Sequence, residues 1–375
     1  MSTVKSVSKN FGGILVISLL VAMLFVLFQD NDTILRYVQF FVFPGFLFVL
    51  LAGLSYDWFD RKLFARMQNR VGPPFLQPVY DMLKLAAKED ITPEGVDLPE
   101  FDLVPPFQVF IAILVALFVP VYSAFGLISF TGDILFIMFL LATIGGSIFI
   151  LGWASNNPYG LIGASRAAVA EFSFEIPFML AFAGPIILAS SITISDLVNS
   201  AYTIPMLIYN VVTGELESIQ ILYIIPLILL FFIAIISATA LLEKVPFDPA
   251  HAEVEIVGGW SVEITGKKLL FTRIANFIME FALAGLIAGV FLGGPVCIID
   301  LQQEIYMIGD WDVVYVILST IVFIIKTSVI VFLITLMRTL HSRVRIDQMV
   351  NAFWKYFLPL ALFGIFMILV LLGGL

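Results

Sequence analysis

Apolar runs of about 20 residues, almost free of charge, alternate with polar loops along the 375-residue chain. An α-helix rises 1.5 Å per residue, so about 20 apolar residues cross a hydrocarbon layer of ~30 Å. The predicted spans are Phe11–Phe28, Val38–Tyr56, Pro105–Phe125, Asp133–Gly152, Ala168–Ala189, Ile219–Leu242, Thr272–Leu292, Val313–Leu336 and Lys355–Gly373. This pattern predicts an all-α polytopic bundle of about nine transmembrane helices, in one integral membrane domain over residues 1–375.

The first span has a second interpretation as a signal peptide, because Lys5 and Lys9 precede its apolar run. The run is long and rich in Phe, and no convincing small-residue cleavage site follows it. We therefore expect residues 11–28 to be a retained span, added to a core of eight spans over residues 38–373.

Basic residues are strongly biased to one side of the predicted topology. Of the 19 Lys and Arg residues, all but Arg36 and Lys326 fall in the N-terminus or in the loops of one side. Because cytoplasmic segments are enriched in basic residues, we expect a multi-pass protein of the cell membrane with a cytoplasmic N-terminus and an external C-terminus. The larger loops, residues 57–104, 243–271 and 338–354, are then cytoplasmic, and partners should dock there.

The first of these loops contains a predicted amphipathic helix. Between Leu76 and Lys88, the apolar residues Val79, Met82 and Leu83 recur at helical spacing, with charged residues elsewhere. We expect this helix to lie at the membrane interface or against a partner.

Composition limits which cofactors and catalytic centres this chain can hold. The chain is 61% hydrophobic and 13% charged, with net charge −9 and no basic cluster of the kind that binds nucleic acid. One cysteine, Cys297, excludes an internal disulfide and an all-cysteine iron–sulfur cluster, and His251 and His341 are far apart. We expect no cofactor, metal or catalytic centre in this chain alone, so redox centres would belong to partner subunits.

Ionisable residues inside spans cost about 2.5–3.5 kcal/mol each, so they are candidate functional residues. Glu171 and Glu175 are four residues apart, so both carboxyl groups lie on one helix face, an arrangement that suits proton uptake and release. The alternative is a carboxyl group at headgroup level or neutralised by an Arg of a partner. Glu280 and Lys326 lie in the seventh and eighth spans, either as a structural pair or as elements of an ion relay.

Acidic residues also cluster beyond the sixth span, at Glu243, Asp248, Glu253 and Glu255. Apolar residues alternate with them, which favours a polar cavity over a solvated loop. Beyond the eighth span, Arg343, Arg345 and Asp347 form a docking surface, counter-charges for the acidic loop, or a basic cluster at the membrane edge.

Several ordered motifs between about Asp57 and Leu360 resemble the membrane-anchor, or H-type, subunit of respiratory complex I and of related energy-converting nickel–iron hydrogenases. They are residues 61–78, 81–85, 88–90, 152–157, 163–168, 246–248, 253–255 and 343–348, with Glu175, Glu280, Lys326, Trp354 and Lys355. One such motif would be weak, but this many in order is specific.

The resemblance implies a non-catalytic subunit that connects a peripheral electron-transfer arm to antiporter-like and small membrane subunits. Iron–sulfur clusters and a nickel–iron or other redox centre would lie in the peripheral arm, which would dock near Arg61, Arg66 and Arg70. The resemblance also implies that intramembrane and loop acids begin a charged path towards the pumping subunits. These acids are Glu175, Glu253, Glu255 and Glu280.

Departures from the quinone-reducing pattern bear on the branch of the family. The Arg/Gly/Pro stretch is short, Lys244 occupies the usual Arg position, and His251 stands where an acid is common. We therefore expect a hydrogenase-related, quinone-free complex, with a quinone-binding anchor as the alternative and a stand-alone secondary transporter as a distant one. The sequence leaves open the pumped ion, H⁺ or Na⁺, and the terminal acceptor.

Overall fold

The computed structural model describes residues 33–213, 220–296 and 312–373. Over these ranges the chain is helical and contains no strand, which confirms the predicted all-α class. The helices are α1 Thr33–Phe41, α2 Phe46–Met67, α3 Gln77–Ala87, α4 Leu98–Leu117, α5 Asp133–Ala154, α6 Pro158–Ala189, α7 Ile194–Asn199, α8 Ile204–Thr213, α9 Ile224–Leu241, α10 Glu253–Ile256, α11 Gly266–Leu292, α12 Asp312–Leu340, α13 Ile346–Ala352 and α14 Leu358–Gly373. The predicted span at residues 11–28 lies outside the described residues.

Eight segments of the described chain are long and apolar enough to cross a membrane. They are Tyr37–Met67, Pro99–Leu117, Asp133–Ala154, Pro158–Ala189, Ile221–Leu241, Gly266–Leu292, Tyr315–Leu340 and Ile346–Gly373. Each corresponds to one of the predicted spans from residue 38 onward. The predicted amphipathic helix is α3.

Several boundaries differ from the predicted ones because local backbone chemistry overrides hydropathy. Helix α4 ends at Leu117, well before the predicted Phe125, because Pro120 cannot donate a helical hydrogen bond. Helix α6 begins at Pro158, ten residues before the predicted start, where the Asn157 side chain accepts a hydrogen bond from the Tyr159 amide at 2.9 Å. Hydropathy missed these first turns because Arg166 interrupts the apolar run.

Helix α11 is the centre of the bundle. It packs against α2, α4, α9 and α12, and 89% of its most apolar stretch is buried. A helix that is apolar on all sides is stable only when neighbours surround it. Small residues along α11 let neighbouring side chains approach closely, since a Cβ added at Gly285 would overlap the Val119 side chain and one at Gly289 would contact the Pro120 ring.

Glycine is required where α2 crosses α11. A Cβ added at Gly53 would overlap the Phe277 carbonyl group, which belongs to the backbone of α11 and cannot rotate away. The two helices therefore meet backbone to backbone at this point.

We expect Gly53→Ala to lower the stability of the protein by about 1–3 kcal/mol, the usual cost of overpacking. Thermal unfolding of the purified complex would measure the change. The matched control is Gly146→Ala in α5, where the new methyl group meets no atom within 4 Å. This control should leave stability unchanged or slightly raised, and an equal loss in both variants would contradict the close helix crossing.

Candidate functional site: a buried ion network and a charged chamber

A buried carboxyl group joins two helices and the segment after α9 near the loop-bearing end of the bundle. Asp60, in the last two turns of α2, is only 2% exposed. Its Oδ2 atom lies 2.7 Å from the Arg338 guanidinium and 3.1 Å from Lys244 Nζ, while Thr335 donates to Oδ1 at 2.7 Å. Asp60 thus connects α2, α12 and the segment that follows α9.

The same lysine holds a second buried acid. Lys244 Nζ lies 2.5 Å from Oε1 of Glu280, which is 3% exposed in α11. Burial alone would lower the pKa of Lys244, but the Glu280 and Asp60 carboxylates outweigh it and raise the pKa above its usual value. The lysine is therefore a permanent cation between two acids. We call Asp60, Lys244, Glu280, Arg338 and Thr335 the Asp60 network.

A cavity of about 500 Å³ surrounds this network, and we call it the charged chamber. Its ionisable lining residues are Asp57, Asp60, Arg61, Glu243, Lys244, Asp248, His251, Arg273, Glu280, Arg338 and Arg343. They come from α2, α11, α12 and the loops after α9 and α12. Opposite charges interleave, so a change of charge at one place alters protonation at its neighbours.

An ion pair joins the loop after α9 to the loop after α12, and a histidine–carboxylate contact lies within the loop after α9. Arg343 lies 2.6 Å from Asp248 Oδ2, which is the contact that the counter-charge interpretation of Arg343 requires. Burial raises the pKa of Asp248, and His251 and Arg343 only partly offset it. His251 Nε2 lies 2.9 Å from Glu243 Oε2. Burial alone would lower the pKa of His251, but the Glu243 carboxylate raises it above its usual value.

Local backbone structure places Glu243 at the edge of the chamber. The amide groups of Glu243 and Lys244 donate to the Ala240 and Thr239 carbonyls, which is the Schellman pattern that ends a helix. Glu243 has φ +49°, at a position where glycine is usual. The turn points the Glu243 side chain into the chamber and Lys244 into the Asp60 network.

The two acids of α6 lie behind this edge. A cleft of about 30 Å³, enough for about one water molecule, is lined by both Glu243 and Glu171, and a smaller recess is lined by Glu171 and Glu175. A Cβ at Gly145 of α5 would overlap the Glu171 carboxyl group, so glycine provides its space. In the described structure, Glu243, Glu171 and Glu175 thus line successive spaces that begin at the edge of the chamber.

Lys326 occupies a different place from the one expected opposite Glu280. Its Nζ atom donates to the carbonyls of Leu292, Gly294 and Val296 at 2.7, 2.9 and 2.7 Å. Glu280 precedes Leu292 by twelve residues, or about 18 Å along the helix. The carbonyl groups at and just beyond a helix C-terminus lack helical partners and attract a cation, which explains why Lys326 lies there. The cation that binds Glu280 is instead Lys244.

The remaining predicted residues lie outside the chamber or at its rim. Arg61 joins Asp57 at 2.9 Å and Asp81 at 2.7 Å, so it ties α3 to α2. Glu255 pairs with Arg166 of α6 at 2.5 Å on the surface. Of the predicted docking residues, Arg66, Arg70, Arg343, Arg345 and Asp347 are exposed. The side chain of Glu253 lies outside the described part of the structure.

Sequence reasoning missed Asp60 and Arg338, and it treated Lys244 and His251 only as departures from a pattern. Asp60 was assigned to the loop after the span Val38–Tyr56, whereas the observed helix continues to Met67 and carries Asp60 into the bundle. The partners could not be found, because Lys244 and Arg338 are 184 and 278 residues away. Within the described residues, no three His, Cys, Asp or Glu side chains are placed to hold a metal ion.

Fold and site together define a multi-pass membrane subunit built around a charged internal chamber. A protein-family model described as NADH dehydrogenase matches residues 36–369. The chain belongs to the NADH dehydrogenase subunit 1 family, whose bacterial members are the H-type subunits of NADH-quinone oxidoreductase.

Its relatives are subunits of respiratory complexes. The chain is 32% identical to the H-type subunit of NADH-quinone oxidoreductase from Geobacillus sp. (strain WCH70), over 85% of this chain and 90% of the relative. It is 32% identical to the corresponding protein of Bacillus cytotoxicus, over 88% and 93%. A chain in the structure of the membrane-bound sulfane sulfur reductase, an archaeal respiratory membrane complex, superposes with a TM-score of 0.71 and 26% identity, over 86% of this chain and 96% of that chain.

We expect Lys244→Met to destabilise the protein by about 3–5 kcal/mol, because it leaves two buried acids without their shared cation. Lys244→Arg keeps the positive charge and should lower the stability of the protein much less. Glu255→Gln is the control, since it breaks an exposed ion pair worth about 0–1 kcal/mol. Thermal unfolding of the purified complexes would rank the three, and a Met variant as stable as the control would contradict the network.

Proposed function

We propose that this chain is the non-catalytic membrane anchor of a complex I-like, ion-translocating complex. It connects a peripheral arm, which carries iron–sulfur clusters and the catalytic centre, to antiporter-like and small membrane subunits. The observation that carries this proposal is the charged chamber, whose edge residue Glu243 also lines the cleft of Glu171. The distribution of basic residues supports an orientation with the chamber and the larger loops on the cytoplasmic side.

Coupling in this proposal is electrostatic. Two unit charges 4 Å apart interact by about 4 kcal/mol at an effective dielectric constant of 20, which corresponds to about three pKa units. A change of charge in the peripheral arm within about 4 Å of a chamber residue would therefore be large enough to move a proton between chamber residues. Glu171, Glu175 and Glu280 then pass the change in charge along the membrane towards the antiporter-like subunits. The capping contacts of Lys326 support a structural role, and its place in the path stays a prediction.

Lining chemistry supports a complex that is hydrogenase-related and free of quinone. Most residues around the chamber are charged, whereas a site for an isoprenoid quinone is mainly apolar with a few polar groups. The similarity in fold to the sulfane sulfur reductase subunit points in the same direction.

A quinone-binding anchor is the second candidate, and one observation favours it. A recess of about 310 Å³ lies between α3 and α11, with Met82, Leu85, Leu269 and Phe277 among its lining residues. Arg61, Arg273 and Phe277 line both this recess and the chamber. An apolar tail has a route there, as the quinone oxidoreductase relatives would require. Family membership disfavours the stand-alone transporter.

The experiment that tests the function is purification of the native complex through a tag on this chain. We expect peripheral iron–sulfur and antiporter-like subunits, with nickel or a sulfur-reducing catalytic subunit and no extractable quinone. Stoichiometric quinone together with a flavin-dependent NADH module would establish the second candidate. A chain that purifies without partners would overturn the anchor function.

We expect Glu171→Gln to reduce the number of ions moved per electron by at least about tenfold, because an amide cannot take up and release a proton. Glu175→Gln should act in the same direction. Glu94→Gln, in an exposed loop, is the control. Ion uptake into inverted membrane vesicles is the measurement, with assembly checked by co-purification. Wild-type stoichiometry in an assembled variant would remove that acid from the path.

A further inference from the structure

The chamber and the Glu171 cleft have one ionisable residue in common among the described lining residues, which is Glu243. Its carboxyl group is 17% exposed, and Oε2 contacts His251 Nε2. His251 lines the chamber and does not line the cleft. The histidine therefore stands on the chamber side of the one acid that faces both spaces.

The position of His251 is fixed by its surroundings. Its ring packs on the Trp260 ring with centroids 5.0 Å apart, and Trp260 is itself 3% exposed. The imidazole remains 29% exposed towards the chamber. One side of the ring is therefore held by an aromatic neighbour while Nε2 is directed at Glu243.

We propose that His251 is the residue that passes protons from the charged chamber to Glu243, and through Glu243 to Glu171. This proposal rests on the proposed function, which it deepens by naming the entry point of the path. Glu243 acts as the acceptor, and His251 acts as the donor.

The transfer is balanced in protons and involves no electrons. A proton from the chamber binds Nδ1 of the neutral imidazole, and the imidazolium releases a proton from Nε2 to Glu243 Oε2. The carboxyl group then yields its proton to Glu171 across a cleft with room for about one water molecule. The ring regains its first tautomer through chamber water, when Nε2 accepts one proton and Nδ1 releases one, so that one proton in all has moved from the chamber to Glu243.

The acids that face His251 favour its protonated form. Glu243 and Asp248 come from its own loop, Arg273 from α11 and Arg343 from the loop after α12, with the Asp60 network across the chamber. Burial alone would lower the pKa of His251, but Glu243 and Asp248 outweigh burial and Arg273 and raise it above its usual value. The imidazolium is favoured as pH falls through that pKa and lost as pH rises through it.

Backbone geometry indicates that the Glu243 carboxyl group has a role other than forming the turn that ends α9. Glycine would fit the positive φ of Glu243 better, and the Schellman hydrogen bonds come from backbone atoms alone. The carboxyl group is therefore dispensable for the helix end. Glu243→Gly consequently separates the role in the turn from the role in proton transfer.

The test uses inverted vesicles that carry the full complex, with NADH or reduced ferredoxin as electron donor and protons counted per electron. We expect His251→Gln to lower the number of protons moved per electron by at least about tenfold, because the amide keeps a hydrogen-bond donor for Glu243 but cannot take up and release a proton. Glu243→Gly should lower the number of protons moved per electron as much, while its thermal stability equals or exceeds that of the wild type. His341→Gln, at the other, exposed histidine, is the matched control and should retain the wild-type ratio.

A conservative rescue sharpens the test. His251→Glu should recover part of the ratio, with its pH dependence moved to lower pH because a carboxyl group releases its proton at lower pH than imidazole. A His251→Gln variant with the wild-type ratio and pH profile would overturn the inference. A complex that moves Na⁺ without protons would overturn it too, and would leave the proposed function standing. Wild-type vesicles that move no ion would overturn both.

A second measurement covers variants that fail to assemble. Diethylpyrocarbonate reacts with imidazole only in its neutral form, and mass spectrometry of the wild-type complex gives the extent of modification at His251 as a function of pH. We expect a midpoint above that of an unperturbed histidine, which falls in Glu243→Gln, where the carboxylate is lost. An unchanged midpoint in that variant would overturn the pairing.

Discussion

Charge buried among apolar helices is the constraint on which this structure depends. Asp60 and Glu280 could not remain ionised in such surroundings without Lys244 between them and Arg338 beside them. Because these residues come from α2, α11, α12 and the end of α9, neutralising the acids also fixes how these four elements meet. Stability and function therefore draw on the same contacts, and the chamber cannot be emptied of charge without loosening the bundle.

Hydropathy predicted most of the fold because a bilayer leaves few choices. Every span from residue 38 onward is present, and the amphipathic helix lies where the periodicity of residues 76–88 placed it. Boundaries were less predictable, since Pro120 ends α4 and Asn157 begins α6 by hydrogen-bond chemistry that hydropathy does not measure. A single charged residue, Arg166, was enough to hide three turns of helix.

The types of residue in the candidate site were predictable from the sequence, but the pairings between them were less so. The cost of an ionisable group inside or beside a span identifies Glu171, Glu280 and Glu243 as candidates, and the described structure places them in or behind the charged chamber. Which cation serves which acid is a matter of depth along neighbouring helices. Glu280 and Lys326 lie in consecutive spans, yet the end of α11 attracts Lys326 while Lys244 comes from a loop to meet Glu280. Such pairings between distant parts of the chain require the folded structure.

The position of Glu243 has a consequence for the length of a span. As the residue just beyond the end of α9, it owes its direction to the rotation of that helix. Inserting or deleting one residue in α9 would turn everything beyond it by about 100°. The carboxyl group would then face away from both spaces that it now separates. Residues within α9 can exchange freely among apolar types that pack equally well, but the number of residues between Ile224 and Leu241 is fixed by the direction in which the next acid must point.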